Sequence, residues 1–154
     1  MSDRRQTLID LLTTACAWGA GVVFLYASID KIQHPAAFAQ AIANYRMVPA
    51  VLLHPFAWYL PVVEAAVGLA LIVGWQRRGA ALLAVLMTAM FIAAITTALV
   101  RGLDISCGCF DTSEGGKVGL DLLLRDIALL VAAAVPLVMR RDRWSLDAWL
   151  GRGQ

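Results

Sequence analysis

The sequence is poor in charged residues, which make up 16% of its 154 positions, against about 25% in a typical soluble domain. Hydrophobic residues make up 60%, well above the usual share of about 45–50%. The few basic residues are spread along the chain without a dense basic and aromatic surface, so the composition gives no support for nucleic-acid binding. The apolar content instead suits a lipid bilayer, crossed four times by segments of about 20 residues.

Long apolar stretches dominate the sequence. Residues 11–29 and 79–100 contain no charged side chain, and each stretch is long enough to cross hydrocarbon as a helix. The four predicted spans cover about residues 8–30, 51–75, 79–100 and 120–139. We therefore predict an all-α fold, an integral membrane four-helix bundle in which residues 1–154 form a single membrane domain. The arginine- and tryptophan-containing tail, residues 140–154, is predicted to lie on the cytoplasmic membrane surface.

Basic residues are distributed unevenly between the predicted loops, eight on the side of the two termini and four on the other. The first set contains Arg4, Arg5, Arg77, Arg78, Arg140, Arg141, Arg143 and Arg152, and the second contains Lys31, Arg46, Arg101 and Lys117. The positive-inside rule then predicts cytoplasmic termini in a bacterial-type inner membrane, with residues 30–50 and 101–119 outside. Asp30 and Lys31, at the outer end of the first span, are expected to be solvated.

Charged residues within the predicted spans need partners, because an isolated charge at bilayer depth costs about 2.5 kcal/mol or more. Glu64 lies eleven residues from the inner end of its span and Arg125 fourteen from the inner end of its own. Their depths therefore differ by about 5 Å. We expect Arg125 to pair with Glu64, or with Asp126 or Asp121. The sequence leaves two roles open for such a pair, fixing helix register or handling protons or a quinone.

The first predicted outer loop contains the pattern of a short helix. Pro35 is suited to a first helical position, and Phe38, Ile42 and Tyr45 follow at spacings of four and three. These residues predict an amphipathic helix with one apolar face, lying flat at the membrane surface.

Two of the three cysteines form a C-G-C motif directly after the third predicted span. The predicted topology places Cys107, Gly108 and Cys109 outside, where disulfides form. Residues two apart in an extended chain lie near the far limit of the Cα separation that a disulfide allows, so the backbone must turn, and Gly108 permits this. A disulfide between residues two apart closes a small, strained ring, which favours thiol exchange. So short a loop also adds little stability. We predict that Cys107 and Cys109 are a redox pair.

Two other interpretations of these cysteines remain open. They can form a plain structural bridge, or they can contribute thiolates to a Cys2His2 metal site with His34 and His54, which the topology places on the same side. No histidine is close to the cysteines in sequence, so no metal site is assigned.

A complete electron route requires something beyond this chain. Cys16 lies within the first predicted span, roughly 20 Å from the outer surface, a distance that argues against direct exchange with the loop thiols. The sequence has no second dithiol. It identifies no definite cofactor and leaves a membrane quinone open as the electron acceptor.

Several segments together resemble a known family. They read FLYASIDKIQHPAAFAQAIANYRMVP, LPVVEAAVGLALIVGW and SCGCF, followed by a late RD in the fourth span. This combination, over about residues 24–137, resembles the MauE family of methylamine utilisation membrane proteins, within the wider DoxX-like group. The family's motif positions correspond to Leu60, Pro61, Glu64, Cys107, Cys109 and Arg125. Relatives commonly continue CGCFG, whereas Asp111 follows Phe110 here, a difference that concerns the local turn.

The resemblance implies a role in forming or maintaining disulfides of an extracytoplasmic client, alongside a thioredoxin-like partner. In the named family the client is the small subunit of methylamine dehydrogenase. Cys107 and Cys109 would be the exchanging residues of a thiol–disulfide oxidoreductase component, supported by Gly108, Glu64, Arg125 and Asp126. A non-catalytic membrane scaffold for an oxidoreductase is the alternative of a different class.

Overall fold

A computed structural model describes residues 2–102 and 120–139, and these residues form helices without any strand. The helices are α1 (Ser2–Gln33), α2 (Pro35–Asn44), α3 (Ala50–Val73), α4 (Arg77–Val100) and α5 (Leu120–Val138). The all-α prediction is therefore confirmed for the described part of the chain.

Three helices are long and apolar enough to cross a membrane. They are Arg4–Gln33, Ala50–Val73 and Arg77–Val100, close to three of the predicted spans, although α1 extends further at both ends than residues 8–30. Helix α5 has 19 residues and carries three acidic or basic residues in its first half, so a fourth crossing stays a prediction.

The turn between α3 and α4 is short and depends on a glycine. Gly74 ends α3 with a positive φ of 76°, a conformation that residues with a Cβ adopt much less readily. Its N–H donates to the carbonyl of Ala70 at 2.8 Å, and the N–H of Trp75 donates to the same oxygen at 3.1 Å. This cap satisfies a carbonyl at the end of α3 and directs the chain back into α4.

Helix α2 begins at Pro35, as predicted, and packs against the first half of α3. Phe38 and Ala39 are buried against Ala57, with Ile42 and Leu60 packed around them. The predicted apolar face of α2 is thus covered in part by α3.

Mostly small and aliphatic residues form the main core, to which α1, α3, α4 and α5 all contribute. Its buried members are Ala20, Phe24, Val67, Leu71, Ala80, Ala81, Ala84, Met87 and Ala133. Small side chains let helix backbones approach closely, which favours packing within a bilayer.

Helices α1 and α3 approach each other closely at Gly21 and Gly68. A Cβ added to Gly68 would lie 2.8 Å from the carbonyl oxygen of Gly21 and 3.0 Å from Cγ of Leu25. A Cβ at Gly21 would lie 2.7 Å from Cγ1 of Ile72. These contacts require glycine at both positions and fix how α1 lies against α3.

Candidate functional site: a buried charged cluster

Two helix stripes bring the charged residues of this site together. In α1 the buried residues Ala20, Phe24 and Ala27 are followed at the same helical spacing by Lys31. In α3 the buried residues Ala57 and Pro61 are followed by Glu64, Val67 and Leu71. Because α1 and α3 pack antiparallel along these stripes, Lys31 and Glu64 face each other in the interior.

Lys31 and Glu64 form a buried, bidentate ion pair. The Lys31 Nζ donates to Glu64 Oε1 at 2.7 Å and to Oε2 at 2.8 Å. Each residue is only 1% exposed. Both carboxylate oxygens are therefore used by the ammonium, the arrangement that makes burial of two opposite charges tolerable in a low-dielectric interior.

This pair corrects two sequence predictions. Lys31 was expected to be solvated at the end of its helix, but it lies in the interior because its position continues the buried stripe of α1. Glu64 was expected to pair with Arg125, but its carboxylate is bound by Lys31. Arg125 instead lies beside its neighbour, with Nη2 3.4 Å from Asp126 Oδ1, which was the second pairing considered.

Two aromatic rings complete the surroundings of the ammonium. The Lys31 Nζ lies 5.2 Å from the centroid of the Phe38 ring and 4.9 Å from that of Phe91. Both distances fall within the range of cation–π attraction. The ammonium is therefore held between a carboxylate on one side and two ring faces, from α2 and α4, on the other.

Asp126 brings a second carboxylate to the same interior. It is 3% exposed and lines a small cavity of about 20 Å³ together with Lys31, Glu64 and Thr88. The Thr88 hydroxyl donates to the carbonyl of Ala84 at 2.8 Å. A cavity of this size has room for about one water molecule, and the polar side chains around it are suitable partners.

Asp126 also acts beyond this cavity. Its carboxylate also lies close enough to influence the hydroxyl of Tyr45, the residue that follows α2. Burial first, and then the nearby Asp126 carboxylate, raise the pKa of Tyr45 to about 12. The Tyr45 hydroxyl is therefore protonated, and able to donate, throughout the physiological pH range.

The cluster of Lys31, Glu64 and Asp126 joins three helices at different points along their lengths. Lys31 lies in the last turn of α1, whereas Glu64 lies fourteen residues after the start of α3. Asp126 is six residues after the start of α5, about 9 Å along the helix axis. The arrangement is suited to holding and exchanging a proton, because two carboxylates share the neighbourhood of one ammonium.

The predicted cysteine pair lies outside the described residues, as does Gly108. His34 caps α2 and is exposed, and His54 is exposed on α3. Within residues 2–102 and 120–139, no three His, Cys, Asp or Glu side chains come together as metal ligands. The Cys2His2 alternative is therefore not tested.

A known protein family matches most of the chain. The family described as Methylamine utilisation protein MauE matches residues 9–139. This chain belongs to the MauE family. Its matched range contains the charged cluster and the C-G-C motif.

Curated MauE-family relatives have similar sequences. The chain is 34% identical over 113 residues to Methylamine utilization protein MauE of Paracoccus denitrificans, covering 73% of this chain and 61% of the relative. It is 35% identical over 122 residues to the protein of that name from Methylophilus methylotrophus, covering 75% and 64%. The chain thus spans less than two thirds of the length of these relatives. No solved structure matches it.

Proposed function

We propose that this MauE-family chain is a thiol–disulfide redox component of the inner membrane. In this proposal Cys107 and Cys109 are the exchanging pair, facing the extracytoplasmic side, and α5 is a fourth membrane crossing. The observation that supports the proposal is the C-G-C motif itself, which lies in the sequence between α4 and α5 of a chain that belongs to the MauE family.

The charge distribution supports this orientation after correction for burial. Lys31 and Arg77 are buried within the described residues and no longer count as loop charges. Removing one residue from each set leaves seven basic residues on the side of the termini and three on the side of the cysteines. The bias still favours cytoplasmic termini.

The proposed exchange conserves atoms and electrons. A thiolate of the partner or client attacks one sulfur of the Cys107–Cys109 disulfide and forms a mixed disulfide, releasing the other cysteine as a thiolate. The second thiol of the partner or client then attacks the mixed disulfide. Its own disulfide forms, and Cys107 and Cys109 are left reduced, having gained two electrons.

The other predicted residues support this chemistry in different ways. Gly108 gives the backbone freedom to turn between the two cysteines. Glu64, with Lys31, joins α1 to α3. Asp126, beside Arg125, lies on α5 at the same small cavity as Lys31 and Glu64. These residues hold the helices around one charged cluster.

The partner and client are proposed from the family. A thioredoxin-like protein is the exchange partner, and the names of the relatives favour a client used in methylamine utilisation. For the family we propose the small subunit of methylamine dehydrogenase.

Trapping of a mixed disulfide tests the proposal. In Cys109→Ser no internal disulfide can form, so the free Cys107 thiolate should run the exchange in reverse and attack the disulfide of an oxidised thioredoxin-like protein or client, releasing one of its sulfurs as a thiolate. The mixed disulfide should persist because Cys109 is absent and cannot resolve it, and it should be visible as a heavier species on non-reducing gels. Cys107→Ser is tested in parallel, because either cysteine can be the one attacked. The double serine variant is the control and should trap nothing.

Membrane abundance of all three variants should match the wild type, because a bridge across one residue adds little stability. Normal client disulfides in cells with only the double variant would refute the redox function. A scaffold role would then replace it.

A further inference from the structure

Two exposed arginines meet where the connection from α2 to α3 lies against the end of α4. Arg101 is the C-terminal cap of α4, and its Nη1 donates to the carbonyl of Tyr45 at 3.3 Å. Its guanidinium therefore lies at the peptide bond that joins Tyr45 to Arg46. Within the described residues, no carboxylate forms an ion pair with either arginine. Most of their N–H donors thus remain available to an anion.

An apolar cavity lies beside these two arginines, between α2, α3 and α4. Its volume is about 260 Å³, and its lining includes Tyr45 and Met47, the residues on either side of Arg46. Arg46 has a positive φ of 52° and turns the chain from α2 toward α3, so that both of its neighbours reach the cavity. Phe91 and Ala94 line the cavity from α4. Ala94 lies about 10 Å along the helix axis from the C-terminal cap of α4.

A groove continues from this cavity along α3 and α4. It has a volume of about 490 Å³ and shares Leu60 and Met90 with the cavity. It extends to Val63 and Leu86, which are exposed on the apolar surface of the described helices. From Ala94 to Leu86 the distance along α4 is about 12 Å, close to the depth of about 15 Å that one leaflet contributes to the hydrocarbon core.

The order of these groups indicates the chemistry of the occupant. Two cations lie at the surface, and an apolar space of about one leaflet's depth follows beneath them. Guanidinium groups bind phosphate through paired hydrogen bonds, and an acyl chain is suited to the apolar lining. A free phosphate ion would use the arginines and leave the groove open. A choline headgroup would bring a cation next to its phosphate, which two nearby guanidinium groups repel.

We infer that an anionic phospholipid occupies this site. Its phosphate is bound by Arg46 and Arg101, and one of its acyl chains lies in the cavity and groove between α3 and α4. The bound lipid links the α2–α3 connection to the end of α4, the two segments that the hydrogen bond from Arg101 to Tyr45 already joins. The site is separate from the proposed thiol exchange and does not depend on it.

Native mass spectrometry of the full chain, released from detergent micelles with equal amounts of phosphatidylglycerol and phosphatidylcholine, tests the headgroup site. The complex with one phosphatidylglycerol should exceed that with one phosphatidylcholine by about fivefold or more. Arg46→Gln and Arg101→Gln should each weaken phosphatidylglycerol binding by about fivefold. Both variants should fold like the wild type in micelles without added lipid, because these side chains are exposed.

A matched control removes two exposed arginines at the other end of α1. Arg4→Gln combined with Arg5→Gln lowers the net charge more than either single change, yet it should leave phosphatidylglycerol binding near the wild-type value. An equal loss in this control, or equal binding of the two lipids by the wild type, would overturn the inference.

The acyl-chain part of the site has its own test. Ala94→Phe fills the cavity and should weaken phosphatidylglycerol binding severalfold, whereas Ala93→Phe, at the exposed neighbouring position, should bind like the wild type. Ala94→Leu, with a smaller loss expected, serves where Ala94→Phe does not accumulate. Equal binding by the Ala94 and Ala93 variants would overturn the inference.

Two competing occupants are distinguished in the same spectra. Glycerol 3-phosphate, which has the phosphate without the chains, should not displace the lipid, and displacement would show a free-anion site instead. A dimer that forms equally with and without phosphatidylglycerol, and that excludes the lipid, would assign this face to a second copy of the chain. Either result would overturn the inference.

The Cys107→Ser, Cys109→Ser variant should bind phosphatidylglycerol like the wild type. Failure to trap a mixed disulfide would then refute the proposed function and leave the lipid site standing. Trapping without preferential phosphatidylglycerol binding would do the reverse.

Discussion

Removal of either member of the buried ion pair leaves a charge in the interior. Lys31→Met takes away both hydrogen bonds, of 2.7 and 2.8 Å, that the ammonium donates to Glu64. The remaining carboxylate belongs to a residue that is 1% exposed. Breaking a buried pair in this way costs about 3–5 kcal/mol of unfolding free energy, and Glu64→Met should have a similar cost.

The double variant Lys31→Met, Glu64→Met should behave differently, because it removes both charges and fills the site with apolar side chains. Replacing a buried pair by hydrophobic residues is often neutral, or stabilising by about 1–4 kcal/mol. The coupling between the two positions should therefore amount to several kcal/mol. The free energy of unfolding in detergent micelles, followed by circular dichroism, measures it.

Two controls make the experiment specific. Arg46→Met removes an exposed cation and should change stability by about 0.5 kcal/mol or less. Glu64→Met combined with Arg125→Met should give nearly additive effects, since Lys31 and not Arg125 binds Glu64. Strict additivity for Lys31 and Glu64, or a cost below about 1 kcal/mol for each single change, would refute the described pairing.

Two further predictions concern packing and topology. Gly68→Ala should destabilise the protein by about 1–3 kcal/mol, because the new Cβ would lie 2.8 Å from a backbone oxygen of α1. The control Gly19→Ala, with no atom within 4 Å of its Cβ, should be neutral or stabilising. Equal thermal stability of the two variants would contradict the described packing of α1 against α3. A membrane-impermeant maleimide should label Cys107 or Cys109 in reduced intact cells, with the double serine variant as the control. Labelling only after the inner face is opened would reverse the proposed orientation.

The helices were predictable because apolar length is a direct physical signal. Charge-free stretches of about 20 residues identified α1 and α4, and an apolar stretch interrupted only by Glu64 identified α3. Helix α2 was predicted from Pro35 and the spacing of its apolar residues. Such signals are local, so a single sequence reveals them.

The partner of Glu64 was not predictable in the same way. The expected pairing with Arg125 depends on counting the depth of each residue from the inner end of its own span. That count assumes that all spans end at the same level of the membrane. In the structure Gly68 lies level with residues 21–25 of α1. Lys31 and Glu64 are then only about 3–9 Å apart along the helix axes, a separation that two long side chains can span.

The sequence nevertheless contains a pattern that indicates burial of Lys31. It continues the spacing of Ala20, Phe24 and Ala27, so it belongs to the face of α1 that these residues bury. Its place at the helix end made solvation the simpler expectation. No sequence pattern predicts the apolar cavity lined by Phe38, Leu60 and Phe91, because it depends on how three separate helices meet.

A redox titration of the Cys107–Cys109 pair in membranes distinguishes a thiol pair that exchanges from a structural bridge. The titration uses a Cys16→Ser background, so that only the loop thiols report, with alkylation shifts on gels measuring the reduced fraction. We expect a reversible two-electron midpoint within about −270 to −120 mV, the range of exchange-active pairs. A disulfide that stays oxidised to below about −300 mV, as structural bridges do, or thiols that never form a disulfide, would contradict it.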